Sequence, residues 1–159
     1  MNTDKSWKKL LMAATLMTLL LATACAGKNE IGSAEGQELV EQGNAYMTCL
    51  KASDLGCASG LMSPLAQGWM DVAERATQGV LDLESVLRTY GPKISEWTFD
   101  RAQFSTRDGR TIGSLEGKVQ YVDGKRGKVS LEFERSDGAW KVRASDLEYR
   151  TGIVLGLRK

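Results

Sequence analysis

Histidine is absent from this 159-residue chain, and proline and cysteine are scarce, with two and three residues respectively. Without imidazole, the chain lacks the general base of Ser-His-Asp and Cys-His catalytic groups and the commonest side-chain ligand for transition metals. An excess of charge of one sign is missing as well, since 21 basic and 20 acidic residues leave a formal charge of +1. We therefore expect no nucleic acid partner, and no catalytic site, cofactor or metal.

The first 24 residues have the order of a secretory signal rather than of a folded element. Three lysines between positions 5 and 9 precede the uncharged run Leu10–Leu21, and small residues lead from there to Cys25. The apolar stretch reaches only about 15 residues, whereas a transmembrane helix needs about 20. We therefore predict a signal peptide over residues 1–24 rather than a retained membrane helix.

The residues around the predicted cleavage site resemble a bacterial lipobox. The pattern lies in Leu21-Ala22-Thr23-Ala24-Cys25, although a leucine is commoner where Ala22 stands. The resemblance implies cleavage before Cys25, a diacylglycerol on its thiol and usually a third acyl chain on the new amine, which together anchor a chain durably. Because Ala26 rather than aspartate follows the cysteine, it implies the outer membrane, facing the periplasm, over the inner membrane.

Two cysteines, Cys49 and Cys57, remain once Cys25 is acylated. An even remainder in an oxidising compartment favours one disulfide, and the alternative is two buried thiols that act as small apolar side chains. Their spacing is not the Cys-x-x-Cys of a redox-active pair, so we expect the disulfide to be structural.

The rest of the chain divides into a tether, one domain and a short extension. Residues 25–36 comprise Cys25 and eleven mostly small or polar residues after it. This composition predicts a flexible tether with a maximum reach of about 36 Å. Residues 37–150 are long enough for one compact domain. The pattern of residues 151–159 does not place them on any element.

Within the domain, the hydrophobic period changes from 3.6 residues to 2. Apolar steps of three and four predict a helix over residues 37–52 and a longer one from Ser63-Pro64 to Tyr90, with a candidate kink at Gly79. After Pro92, four alternating runs punctuated by Asp-Gly pairs predict an antiparallel meander. The last turn, Asp137-Gly138, predicts pairs from Ser136–Ala139 to Glu132–Arg143 and Leu131–Ala144, whereas the first hairpin, near 106–110, is expected to need a bulge.

Helices followed by such a meander resemble the nuclear transport factor 2-like superfamily and, more narrowly, small bacterial lipoproteins of that type. The resemblance rests on four segments: Trp97-Thr98-Phe99, Gly117-Lys118-Val119-Gln120-Tyr121, Asp123-Gly124 and Asp137-Gly138-Ala139-Trp140-Lys141-Val142. It implies an α+β fold in which a curved four-stranded sheet wraps around N-terminal helices and can leave a pocket at the open end of a cone. A Tim21-like or cystatin-like arrangement is the alternative.

Aromatic side chains are the candidates for lining such a pocket, although filling the core is the favoured interpretation: Trp69, Trp97, Phe99, Tyr121, Phe133 and Trp140. The main hypothesis is a non-enzymatic binding or assembly module with an envelope protein partner. One alternative is a small-molecule or catalytic pocket in the cone. The other is an inhibitor or immunity lipoprotein whose basic tip, Lys125, Arg126 and Lys128, blocks an envelope-directed enzyme. The pattern decides neither the ligand nor the oligomeric state.

Replacement of the proposed acylation site tests the anchor directly. We expect Cys25→Ala to move the chain from the membrane fraction to the soluble fraction of a cell lysate, because the acyl chains supply the membrane affinity. Unchanged partitioning of the variant would refute lipidation at this residue.

Overall fold

The computed structural model describes residues 28–76, 83–149 and 153–154. The helices come first: α1 (Ala34–Ala52), α2 (Leu55–Leu61), α3 (Pro64–Ala76) and α4 (Leu83–Tyr90), followed by a 3₁₀ turn over Gly91–Lys93. The strands follow: β1 (Ile94–Arg107), β2 (Arg110–Tyr121), β3 (Arg126–Ser136), β4 (Ala139–Tyr149) and β5 (Ile153–Val154). This order confirms the predicted α+β class. The predicted signal peptide and Cys25 lie outside the described residues.

The strands form one meander in the order β1-β2-β3-β4-β5, and every neighbouring pair is antiparallel. The four long strands confirm the predicted four-stranded sheet. The short β5 pairs Ile153 with Tyr149 and Val154 with Glu148. Two residues of the C-terminal extension, which the sequence pattern did not place, therefore continue the sheet.

Helix α1 begins three residues earlier than predicted, at Ala34 rather than Gln37. The Ser33 hydroxyl caps the helix by accepting a hydrogen bond from the Gly36 backbone amide at 3.0 Å. Such a cap satisfies one of the amides that the first turn leaves without a partner. The helix therefore takes in the last residues of the expected tether.

The segment before this cap lies against β1. The Glu30 amide donates to the Ala102 carbonyl at 2.7 Å. The Asn29 side chain donates to the Asp100 carbonyl at 3.1 Å and accepts from the Ala102 amide at 3.0 Å. From Asn29 onward the expectation of a flexible tether is wrong, because this segment pairs with backbone groups that the outer edge of β1 would otherwise present to water.

Short polar residues separate the next helices. Asp54 caps α2 by accepting from the Cys57 amide at 2.9 Å. The Ser63 hydroxyl accepts from the Ala66 amide at 3.3 Å, and Pro64 opens α3, as predicted. The expected longer helix is described in two parts, α3 and α4, and the candidate kink at Gly79 lies outside the described residues.

The first hairpin contains a bulge, as predicted, but its turn is regular. Arg107 pairs with Arg110 across the two-residue turn Asp108-Gly109, whose φ angles are 53° and 73°. Two positive φ angles give a turn whose twist matches that of the strands, so the register runs on without interruption. The nearer irregularity of β1 falls between Phe99 and Arg101.

The last hairpin keeps the predicted register only beside its turn. The pairs from Ser136–Ala139 to Phe133–Val142 are confirmed, but Glu132 then pairs with Ala144 and Leu131 with Ser145. The two predicted pairs beyond the turn are wrong because Arg143 is an additional residue on β4, which makes a β-bulge. The shift brings Leu147, 6% exposed, opposite the buried Val129.

Helix α1 packs closely on the sheet at two glycines. A β-carbon at Gly43 would lie 2.6 Å from Leu115 Cδ1, and one at Gly113 would lie 2.7 Å from Leu39 Cδ1. Both distances are far below ordinary carbon contact, so an added methyl group at either position would force the packed leucine side chain to move. Beside them the hydroxyl of Tyr46 lies 3.4 Å from Ser145 Oγ, and burial raises the pKa of this tyrosine.

A disulfide joins Cys49 near the end of α1 to Cys57 in α2, with Cα atoms 5.6 Å apart. This confirms the predicted pairing. The link closes the short connection around Ser53, where the chain reverses in a left-handed conformation. Cross-linking a loop of this size restricts the unfolded chain and contributes about 2.5 kcal/mol in the chain-entropy description.

Removal of the disulfide is expected to lower stability without changing the fold. A reductant should lower the urea midpoint of the wild-type chain, whereas Cys57→Ser, which replaces an exposed residue, should already unfold at the lower midpoint and respond no further. Equal midpoints for the oxidised and reduced wild-type chain would contradict this account.

Candidate functional site

Helix α3 carries apolar side chains on two sides. Ala66, which is 1% exposed, and the partly buried Met70 pack against the core. Leu65, Trp69 and Val72 remain exposed, at 43%, 44% and 51%. Steps of four and three residues place these three side chains along one side of the helix, and we call them the α3 stripe. Contiguous exposed apolar residues of this kind mark interaction surfaces.

Two members of the α3 stripe, Leu65 and Trp69, line a cleft of about 580 Å³. The other lining residues come from the end of β1, the β1–β2 turn, β3 and β4: Arg107, Asp108, Ser130, Glu132, Arg143, Ala144, Ser145 and Asp146. Along β3, Ser130 and Glu132 alternate with buried residues. Because successive side chains of a strand point to opposite faces, this part of the cleft belongs to the face that points away from the core.

One carboxylate oxygen in the cleft has two arginines beside it. Glu132 Oε2 lies 3.8 Å from Arg107 Nη1 and 4.0 Å from Arg143 Nε. Both distances exceed the 2.7–3.2 Å typical of a hydrogen bond. Ion pairs that are partly exposed contribute only about 0.2–1 kcal/mol each. The guanidinium donors are therefore held near Glu132 while keeping much of their capacity to bind another acceptor.

The bulge in β4 positions one of these arginines. Arg143 is the additional residue of the bulge, and only 20% of its side chain is exposed. In a register without the bulge Arg143 would pair directly with Glu132, whereas the bulge gives that pairing to Ala144 and leaves Arg143 Nε 4.0 Å from Glu132 Oε2. Together with the carboxylates of Asp108, Glu132 and Asp146, the two arginines give the lining two cations and three anions.

The structure separates the six aromatic residues that the sequence singled out. Phe133, Trp140 and Tyr121 are buried in the core, at 0%, 1% and 3% exposure. Trp97 and Phe99 are half-buried against that core, and the Trp97 indole donates to Asn44 Oδ1 at 2.9 Å. Trp69 lies apart from these five and lines the cleft.

The loop between β2 and β3 is longer than two residues, as expected, and of the three basic tip residues Lys125 lies in it while Arg126 and Lys128 lie at the start of β3. Lys125 Nζ lies 2.9 Å from Asp123 Oδ2, so the first basic residue of the tip is paired within its own turn. The cleft lining does not include Lys125, Arg126 or Lys128.

Sequence reasoning missed most of the cleft. The period of α3 identified Leu65 and Trp69 as apolar but could not show that Ala66 and Met70 would take the core-facing side. The alternation of apolar and polar residues predicted that Glu132 lies on the solvent-facing side of β3, but it did not indicate a cleft there. Arg143 was predicted to pair with Glu132; the bulge changes the backbone pairing, but the two side chains still lie 4.0 Å apart.

The side chains that line the cleft suit the binding of a ligand with both apolar and polar groups. Its aromatic and aliphatic wall can desolvate an apolar side chain, while the arginines and carboxylates can pair with backbone groups and charges beside it. Trp and Arg are the residue types that dominate binding energy at protein interfaces. The arrangement therefore suits a polypeptide segment with an apolar side chain between polar groups.

Comparison of the chain with protein-family models, with curated proteins and with solved structures finds no match to any of them. Across residues 28–76, 83–149 and 153–154, none of the helices has both the length and the apolar character needed to cross a membrane.

Proposed function

We propose that the chain is a membrane-anchored periplasmic lipoprotein that acts as a non-enzymatic binding or assembly module. Its partner is an envelope protein, and a polypeptide segment of that partner occupies the cleft and covers the α3 stripe. The observation that carries the proposal is the exposed indole of Trp69, 44% accessible, beside two arginines of the same cleft.

Two features support export and anchoring. The segment Leu21–Cys25 has the lipobox pattern, which implies acylation of Cys25 and localisation in the outer membrane facing the periplasm. The Cys49–Cys57 disulfide suits an oxidising compartment, because disulfides are rare in reducing ones. Anchoring raises the effective concentration of the domain at the membrane surface without any additional contact to a partner.

The mixed lining supports a polypeptide partner. Two arginines and three carboxylates line the cleft together with the apolar side chains, so a ligand of uniform charge would meet repulsion from part of the cleft. A polypeptide segment supplies backbone donors and acceptors on both sides of an apolar anchor. Central apolar or aromatic anchors surrounded by polar groups are the usual anatomy of a protein interface.

For the fold, we propose membership of the nuclear transport factor 2-like superfamily. The order of four helices followed by a four-stranded antiparallel meander supports it, as do bulges in β1 and β4, which increase the twist of a sheet. A Tim21-like or cystatin-like arrangement shares the order of helix before meander and remains the alternative.

A small molecule is the second candidate occupant of the cleft. The cleft volume of about 580 Å³ is within the 300–1,000 Å³ of ordinary ligand sites. This alternative makes a different prediction from the first, because a small molecule would remain bound to the purified domain and would need no surface beyond the cleft, such as that around Val72.

A matched pair of exposed apolar positions tests the binding surface. Trp69→Ser should abolish crosslinking of the anchored chain to one defined envelope protein in intact cells, and should weaken the binding of that purified protein at least tenfold. Val122→Ser is the control, because Val122 is 68% exposed and lies in the β2–β3 turn, away from α3.

Equal crosslinking by wild type, Trp69→Ser and Val122→Ser would exclude the α3 stripe as the binding surface. Loss of a small molecule from purified Trp69→Ser, with no protein partner lost, would replace the first candidate by the second.

A further inference from the structure

The first described residues of the chain lie along the outer edge of the sheet. Asn29 and Glu30 make three hydrogen bonds to Asp100 and Ala102 of β1, at 2.7 to 3.1 Å. β1 is the terminal strand of the described sheet, so one of its sides pairs with β2 and the other is the outer edge. The point at which the chain joins the folded domain is therefore on the β1 edge.

The distance from this point to the proposed acylation site is short. Three residues, Ala26, Gly27 and Lys28, separate Cys25 from Asn29. Four consecutive Cα steps span at most about 14 Å in a fully extended chain. An acylated Cys25 lies at the membrane surface, so the β1 edge around Asp100 must stay within roughly that distance of the lipid headgroups.

The helix that carries the α3 stripe begins beside β4, at the opposite edge of the four long strands. Helix α3 follows Met62, which forms a parallel bridge with Val142 of β4. Three inter-strand spacings of about 4.8 Å separate β1 from β4, which adds about 14 Å between the two edges. The cleft beside the stripe reaches β1 at Arg107, five residues and about 17 Å along the strand from Ala102. A chain held to the bilayer at Asp100–Ala102 therefore presents the α3 stripe further from the lipid.

The charges beside the attachment point are balanced. Lys28 pairs with Glu30 at 3.3 Å, Arg101 with Glu116 at 3.8 Å, and Lys118 with Asp100 at 3.9 Å. Three cations and three carboxylates give this edge no net attraction for anionic lipid. Orientation then comes from the short connection and not from headgroup charge, whose effect is about 1 kcal/mol per basic residue near the surface.

We infer that the domain sits close to the bilayer with the β1 edge facing the lipid and the α3 stripe facing away from it, toward the proposed protein partner. This orientation rests on the acylation of Cys25 in the proposed function. The hydrogen bonds of Asn29 and Glu30 determine this orientation, because they shorten the connection between Cys25 and the folded domain from the predicted eleven residues to three.

Paramagnetic lipid in nanodiscs tests this orientation on the full acylated chain. With a gadolinium chelate on the headgroups, backbone amide signals of Asp100–Ala102 should disappear, while those of α3 should persist. The pattern should be the same in neutral and anionic discs. Insertion of about twelve Gly and Ser residues between Gly27 and Lys28 is the control, and it should remove the difference while leaving the chain on the disc.

Equal loss of signal from β1 and α3 in the natural chain, with binding still dependent on Cys25, would overturn the orientation and leave the anchor intact. Attachment of Cys25→Ala to the discs at the wild-type level would instead overturn the lipid anchor, and the orientation with it.

Discussion

The close approach of α1 to the sheet at Gly43 and Gly113 is the constraint on which the arrangement of this domain depends. At these positions Leu115 and Leu39 fill the space that a β-carbon would need. The contact seats α1 on one face of the meander and buries Tyr46 and Met47 there, at 3% and 0% exposure. Since α1 occupies this part of the sheet, the later helices pack at other positions.

Helix α3 finds its place at β4, where it buries Ala66 and leaves the α3 stripe exposed. The opposite face of β3 carries Ser130 and Glu132, which the core does not use. The cleft is therefore a consequence of where α1 and α3 pack on the sheet. The proposed binding surface lies on α3, β3, β4 and the Arg107 end of β1, whereas the proposed membrane-facing edge is the Asp100–Ala102 part of β1, so one domain can serve both.

Local chemistry explains what the sequence predicted well. Asp-Gly pairs that adopt positive φ set the hairpins, and the apolar residues of β3 and β4 give the correct pairing beside Asp137-Gly138. The bulge at Arg143 was not predictable in the same way, because its benefit is the burial of Leu147.

The tether and the cleft needed information from distant parts of the chain. The composition of residues 26–36 gave no sign that Asn29 would bond to Ala102, 73 residues away. Likewise, a helical stripe shows that α3 has apolar residues, but the position of β4 decides which of them are covered. Trp69 was therefore a candidate both for the core, which was favoured, and for a pocket lining, and it lies in the cleft.

Two helical glycines provide the most direct test of the central constraint. A β-carbon at Gly68 in α3 would meet nothing within 4 Å, whereas one at Gly43 would meet Leu115 and Phe99 at 2.6 and 3.0 Å. Alanine improves helix propensity equally at both positions, by up to about 1 kcal/mol. Measured by urea unfolding, Gly43→Ala should therefore be less stable than Gly68→Ala by about 1–3 kcal/mol, the usual cost of overpacking. Equal free energies of unfolding for the two variants would contradict the account.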